Sequence, residues 1–155
     1  MNAPLENQIR NAVRALIRRD DCILLLRKQD ELKGERYALP GGAQEAGETL
    51  HQALSRECQE EIGTDVVIHE LIHVADWFKL RSMQPPVTRH LVEFLFCCDI
   101  PADYLPHNGH HPDKHQIEVV WIPLSQLTEI QLLPASMIPY LAEAKSDTTY
   151  LGTLN

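Results

Sequence analysis

No two of the four cysteines, Cys22, Cys58, Cys97 and Cys98, are spaced as CxxC. That spacing marks structural zinc sites and dithiol redox centres, and neither is expected here. Cys22 and Cys98 lie beside or inside apolar runs, as buried free thiols do, which suits a reduced, cytoplasmic compartment. Long hydrophobic stretches are also missing. The longest plainly apolar run is CILLL, and MNAPLENQIRNAVR at the amino terminus has no apolar centre, so neither a membrane span nor a secretory leader is expected. Basic charge is scarce: 14 Lys and Arg face 22 Asp and Glu, for a net charge of -8. This balance argues against a nucleic-acid polymer or a membrane surface as partner, but leaves room for a small polyanion wherever cations gather locally. Repeats, low-complexity tracts and linkers are absent, so the 155 residues are read as one domain with its core at about residues 10–145. The lack of a D-x-D-x-D-G loop excludes an EF-hand type of calcium domain.

The apolar fraction of 44% and charged fraction of 23% are those of a globular chain with a real core. NAVRALIRR and CILLLRKQ are β-rich runs, and Arg19-Asp20-Asp21 between them reads as a hairpin turn. ERYALPGG is a short strand stopped by Pro40 and opened by Gly41 and Gly42. Thr49 and Gln52 form a capping box, followed by a stripe of Leu50, Ala53, Leu54 and Cys58, with Gly63 as the stop. DVVIHELIHVADWF, TRHLVEFLFCCDI and QIEVVWIPL read as strands, and the stretch from Pro101 to Lys114 as a loop. A second helix is expected over Ala135–Lys145, started at Pro134. The order predicts an α/β fold, a mixed sheet sandwiched between helices.

RECQEEIG, residues 56–63, breaks the rules for a helix end. Glu57, Glu60 and Glu61 fall within about 100° of arc, given 3.6 residues per turn, and they repel one another where the helix dipole is already negative. A hard divalent cation removes that conflict, because clustered carboxylates without Cys or His form an oxygen site suited to Mg²⁺ or Mn²⁺. Arg56 pairs with Glu48 or another carboxylate, and the Gly41-Gly42 turn lets backbone approach the acidic face.

The longer stretch GAQEAGETLHQALSRECQEEIGTD resembles the signature of the Nudix hydrolases, G-x5-E-x7-R-E-U-x-E-E-x-G-U, with U a bulky aliphatic residue. Gly42, Glu48, Arg56, Glu57, Glu60, Glu61 and Gly63 occupy the seven fixed positions, while Cys58 and Thr64 depart from the two U positions. The resemblance implies an α/β/α sandwich and metal-dependent hydrolysis of a nucleoside diphosphate linked to another group X. It makes Glu57, Glu60 and Glu61 the metal ligands, and Glu48 and Arg56 the orienters of the loop and helix. The catalytic base is either a box glutamate or an acidic residue of a later loop. YALPGGAQEAGETL looks like the ADP-ribose or nucleotide-sugar branch, with nucleoside triphosphates as the alternative and a nucleotide-sensing module as a third. Family members are often homodimers.

Outside the box, Arg27, Arg36, Lys79, Arg81 and Arg89 are candidates for phosphate contacts, Arg36 first because it is nearest the glycine turn. Arg89 and Glu93 share a strand face, as a cleft wall or a surface ion pair. Glu118 is an edge charge, an outer ligand or the base. HNGHHPDKH, residues 107–115, gathers four histidines and Asp113 in a loop; it reads as a solvated loop, a substrate-pocket loop carrying the base on Asp113 or His115, or a zinc site. Trp77, Phe78 and Tyr37 stack on a base or pack in the core.

Overall fold

The run CILLL lies in a strand buried on both faces: Ile23 and Leu25 enter one apolar cluster and Leu24 and Leu26 another. Side chains of a strand alternate between faces, so four consecutive aliphatics tie together two cores. The computed structural model describes residues 3–81, 84–142 and 147–155. In chain order the strands are β1 (Leu5–Leu16), β2 (Arg18–Arg19), β3 (Cys22–Asp30), β4 (Gly34–Ala38), β5 (Gly41–Ala43), β6 (Val67–Arg81), β7 (Val87–Asp99), β8 (Gln116–Pro123) and β9 (Thr149–Leu154). The helix α1 (Leu50–Ile62) lies between β5 and β6.

One sheet has the order β5-β1-β7-β6-β9 and is mixed: β1 and β7 are parallel, as are β6 and β9, while β5 and β6 run antiparallel to their partners β1 and β7. The other sheet is built on β3, which pairs antiparallel with β2, β4 and β8. α1 packs on one side through Ala53, Leu54, Cys58 and Ile62, against Val13, Ala15 and Phe96. Opposite it, Leu16, Leu95 and Trp77 meet Leu127, Met137 and Leu141 from the carboxy-terminal segment. A mixed sheet layer thus separates α1 from a second layer, as the sequence pattern predicts.

The second layer is not the expected long helix. Ala135–Tyr140 is a six-residue 3-10 helix with Pro139 inside it, and a second 3-10 turn spans Leu124–Glu129. Proline has no N–H to donate and its ring collides with the preceding turn, so an α-helix does not run through Pro139. Residues 143–146 of the expected helix lie outside the described residues. The Arg19–Asp21 turn forms as expected, with Asp20 and Asp21 at positive φ, the pair of left-handed residues that a two-residue hairpin turn demands. β1 begins at Leu5, six residues before the expected strand. No helix among the described residues is long and apolar enough to cross a membrane.

Candidate active site

α1 starts as its capping box dictates. The Thr49 hydroxyl accepts from the Gln52 amide at 3.1 Å, and the Gln52 side chain accepts from the Thr49 amide at 2.9 Å. At the other end Gly63 is left-handed, φ 72°, and donates to the Cys58 carbonyl. The carboxyl half of this helix is pressed against the Gly41-Gly42 turn, which β5 pairs to β1 in the register Arg14↔Gly41 and Val13↔Gly42. Gly41 is required by the backbone beside it, and Gly42 by the seat of Glu57. Gly41 has φ 139°, and a Cβ on it meets the Val13 carbonyl at 1.9 Å; a Cβ on Gly42 meets the Glu57 carboxylate at 2.6 Å.

The glutamates of RECQEEIG separate here into two sets. Glu61 is 2% exposed and its Oε1 accepts from the Gly41 amide at 2.8 Å. Glu57 lines the cleft above Gly42. Glu60 does not line the cleft and takes a contact from Arg56 Nη1 at 3.4 Å. Among the described residues no three His, Cys, Asp or Glu are gathered closely enough to hold a metal ion, so the three glutamates do not form a closed cage, nor do the histidines of residues 107–115 form a zinc site.

Arg56 organises the approach to this face. Its Nε and Nη2 grip both oxygens of Glu48 at 2.7 and 2.9 Å, Nη2 also donates to the Ala43 carbonyl at 3.0 Å, and Nη1 reaches Glu57 at 3.1 Å. One guanidinium therefore fastens the loop after β5 to the helix, in the fork geometry that arginine alone supplies. Hydrogen bonds from Arg56 and from the Glu45 amide hold the Glu48 pKa down to about 2, and Glu48 in turn raises that of Arg56.

The electrostatics of the glutamates facing the turn run the other way. Burial raises the pKa of Glu57 despite Arg56. At Glu61 burial, then the charges of Asp113 and Glu57, push it well above the usual carboxylate range, only partly offset by the Gly41 amide and Arg14. Burial thus disfavours the charge of Glu57 and Glu61 alike, with Glu60 adding to the effect at Glu57 and Asp113 and Glu57 adding to it at Glu61. An all-oxygen donor pair fits a hard divalent cation, and Glu57 and Glu61 are the residues that would hold it.

Residues 107–115 take their place from α1. The amides of Gly109 and His111 donate to the Glu61 and Glu60 carbonyls at 3.0 and 2.9 Å, and Gln116 Nε2 donates to Glu61 O at 2.9 Å. These carbonyls belong to the last helical turn and have no partner within it, so the loop completes the helix. In doing so it delivers Asp113 and His115 to the cleft. Asp113 pairs with Lys28 at 2.8 Å; burial raises its pKa, but Lys28 outweighs burial and the net shift is downward.

A cleft of about 770 Å³ opens above this floor. Its cations are Arg10 and Arg14 from β1, Lys28 from β3, Lys33 and Arg36 around β4, Lys79 and Arg81 from β6, Arg89 from β7, and Lys114; its carboxylates are Asp30, Glu31, Glu57 and Asp113. A chain with net charge -8 has placed most of its positive charge in one concavity, as a polyanion site requires.

The structure brings Glu57, Gly41, Gly42 and Arg36 to this cleft, together with Lys79, Arg81 and Arg89. Arg36 is buried and bonds Asp30 at 2.6 Å. Arg27 is not brought there: it pairs with Glu118 at 2.8 Å, which also leaves Glu118 outside the cleft. Arg89 and Glu93 face one way, yet do not pair with each other. Arg89 binds Glu6 at 2.7 Å and Glu93, 2% exposed, binds Arg14 at 3.2 Å, so the surface-pair reading does not hold. Trp77 is buried core, whereas Phe78 is exposed. Arg14 and Lys28 went unread in the sequence; the visible signal is the period-two series Arg10, Ala12, Arg14, which sets two arginines on one strand face.

The NUDIX domain family model matches residues 8–144. The chain belongs to the Nudix family. It is 36% identical over 90 residues to an ADP-ribose pyrophosphatase of Methanocaldococcus jannaschii, covering 57% of this chain and 50% of that one. With a nucleoside triphosphatase NudI of Salmonella arizonae it shares 37% identity over 65 residues, covering 40% of this chain and 45% of the relative. The match therefore spans about half the length of these curated relatives. Among solved Nudix folds, a MutT protein from Methanosarcina mazei Go1 superposes with a TM-score of 0.65 at 23% identity, over 88% of this chain and 93% of that one. Nudix hydrolases generally use divalent metal ions, in keeping with the donor set at the turn.

Proposed function

We propose that this protein is a pyrophosphohydrolase dependent on Mg²⁺ or Mn²⁺, cleaving a nucleoside diphosphate linked to X, with ADP-ribose or a nucleotide sugar as the substrate class. The observation that carries this reading is the seating of two glutamates on the Gly41-Gly42 turn, Glu57 lining a cationic cleft and Glu61 buried against the Gly41 amide. A divalent ion bound there supplies charge neutralisation at the phosphate oxygens and a more acidic water. Arg56 and Glu48 hold the loop and helix in register, so that Glu57 keeps its place against Gly42. Arg14, the register partner of Gly41, together with Lys28 and Arg36 from the other sheet, offsets the charge of the pyrophosphate. Of the carboxylates that can accept a proton from the attacking water, Glu57 and Asp113 face the cleft, whereas Glu60 and Glu118 do not. Similarity to the M. jannaschii ADP-ribose pyrophosphatase supports the substrate class; similarity to the NudI triphosphatase supports a nucleoside triphosphate as the second reading.

A panel of nucleotide sugars, dinucleotides and nucleoside triphosphates, incubated with the full chain and Mg²⁺, tests both. Release of AMP and a ribose phosphate from ADP-ribose is the expected outcome, while pyrophosphate from a triphosphate selects the second reading. No phosphorylated product from any member of the panel overturns the enzymatic assignment.

A further inference from the structure

We propose that the outer end of the cleft is a second anion site, and that the preferred substrate carries a phosphate monoester remote from the pyrophosphate that is cleaved. The inference rests on the reading above only for the position of the cleaved bond. Four cations line this side of the cleft: Arg10 on β1, Lys79 and Arg81 on β6, and Arg89 on β7, with Lys79 bordering Arg14, Lys28 and Lys33 as well. Lys79 and Arg89 are directly opposite in the β6–β7 register, a pairing of like charges that destabilises a sheet. Arg10 reaches the same floor beside Leu91, its partner on β7.

Compensation is sparse. Among the described residues Glu6 is the one carboxylate that ion-pairs with any of the four; it bonds Arg89 at 2.7 and 3.1 Å, and its single charge also acts on Arg10 and Arg81. Asp30, on the facing wall, is taken by Arg36 and the amides of Leu32 and Lys33, and Glu31 is exposed at the rim. Lys79 has only the Trp77 ring, 5.1 Å from Nζ to centroid. Burial, reinforced by Arg14, Lys28 and other cations, brings its pKa down to about 8. An arrangement in which cations oppose one another gains from an anion that bridges them.

Distance separates this cluster from the hydrolytic end. Gly42 lies opposite Val13, three residues along β1 from Arg10, while Arg89 is two residues beyond the partner of Arg10. At a strand rise of about 3.3 Å per residue, the backbone of Arg10 lies roughly 10 Å along the strand from the glycine turn and that of Arg89 roughly 17 Å. A pyrophosphate held at Gly42 and Glu57 does not reach that far. Arg10, Lys79 and Arg81, which form no ion pair among the described residues and exceed the single charge of Glu6 near Arg10 and Arg81, match the charge of a phosphate monoester, and guanidinium forks suit its geometry. A phosphate on the ribose of the nucleotide, beyond the pyrophosphate, meets both requirements.

The test uses two matched pairs, 2′-phospho-ADP-ribose against ADP-ribose and NADP⁺ against NAD⁺. Binding of each to the full chain is measured by calorimetry without divalent ion, and initial rates are measured with Mg²⁺. In both pairs the phosphorylated member is expected to bind at least tenfold tighter, with the advantage shrinking at high salt. In the Arg10→Gln/Lys79→Gln double variant the ratio falls to within twofold. Equal affinity within each pair, no binding by any of the four, or a preference that survives in the double variant overturns the second site. Tighter binding of the phosphorylated members without hydrolysis of any upholds it and defeats the pyrophosphatase reading instead. Hydrolysis without discrimination does the reverse.

Discussion

Arg56 shows how much of the site depends on the shape of one side chain rather than on its charge. Two parallel bonds to Glu48, one to Ala43 O and one to Glu57 need a planar fork, which lysine lacks. Arg56→Lys is therefore expected to lower stability by about 1–3 kcal/mol, the scale of hydrogen bonds to charged groups, and an unchanged denaturation midpoint would contradict the clamp. Gly42→Ala separates stability from activity. The added Cβ meets the end of the Glu57 side chain, which can swing away, so the fold should persist. Displacing that carboxylate by about 1 Å should cost on the order of a hundredfold in kcat; full turnover would remove the contact from the mechanism. Asp30 supplies a pH test, because bonds from the Lys33 amide, Arg36 and the Leu32 amide hold its pKa down to about 2 from an ordinary 3.8. A depressed carboxylate stabilises the fold above its unfolded pKa and loses that contribution as pH falls through its folded one. The gap in melting temperature between wild type and Asp30→Asn should thus be widest above about pH 4 and narrow towards pH 2; a constant gap would show that the ionised form contributes nothing. Single residues of the box were legible in the sequence because spacing alone defines them. Arg14 was not, since its value comes from a glycine turn 27 residues away in the chain, opposite it in the β1–β5 register.

At the scale of elements, α1 was readable from end to end, because capping box, apolar stripe and terminal glycine are local signals. The helix expected over Ala135–Lys145 failed for an equally local reason, Pro139 within it. What no local signal could show is the service that residues 107–115 perform for α1. Their amides meet carbonyls of Glu60 and Glu61, nearly 50 positions earlier, and composition announces only a polar loop with histidines. Gln116 reinforces this joint by donating to both Glu61 O and Asn108 Oδ1. Gln116→Ala is expected to speed hydrogen exchange at Gly109 and His111 and to lower kcat/KM several-fold, since Asp113 travels with the loop. Unaltered exchange at those two amides would dissociate the loop from the helix end.

For the molecule as a whole, two opposing charge fields define the design. Positive charge from β1, β3, β4, β6 and β7 lines the cleft of a chain whose net charge is -8, while Glu57 lines it at the glycine turn and Glu61 is buried against Gly41. The mixed sheet makes this arrangement possible: β5 brings the glycine turn to β1, and α1 crosses beneath it, so distant parts of the sequence converge on one depression. Family membership and layer order followed from the sequence, whereas the convergence of cations did not, because five strands contribute them and register decides which face each one takes. A folded state that holds repelling carboxylates should be stabilised by any cation that binds there and not to the unfolded chain, by about 2.7 kcal/mol at a concentration a hundred times Kd. The most direct test is the melting temperature of wild type, Glu57→Gln and Glu61→Gln across a titration of Mg²⁺ or Mn²⁺. Wild type should rise by several degrees while the two variants stay flat; equal shifts in all three proteins, or none in any, would contradict a cation site built from Glu57 and Glu61.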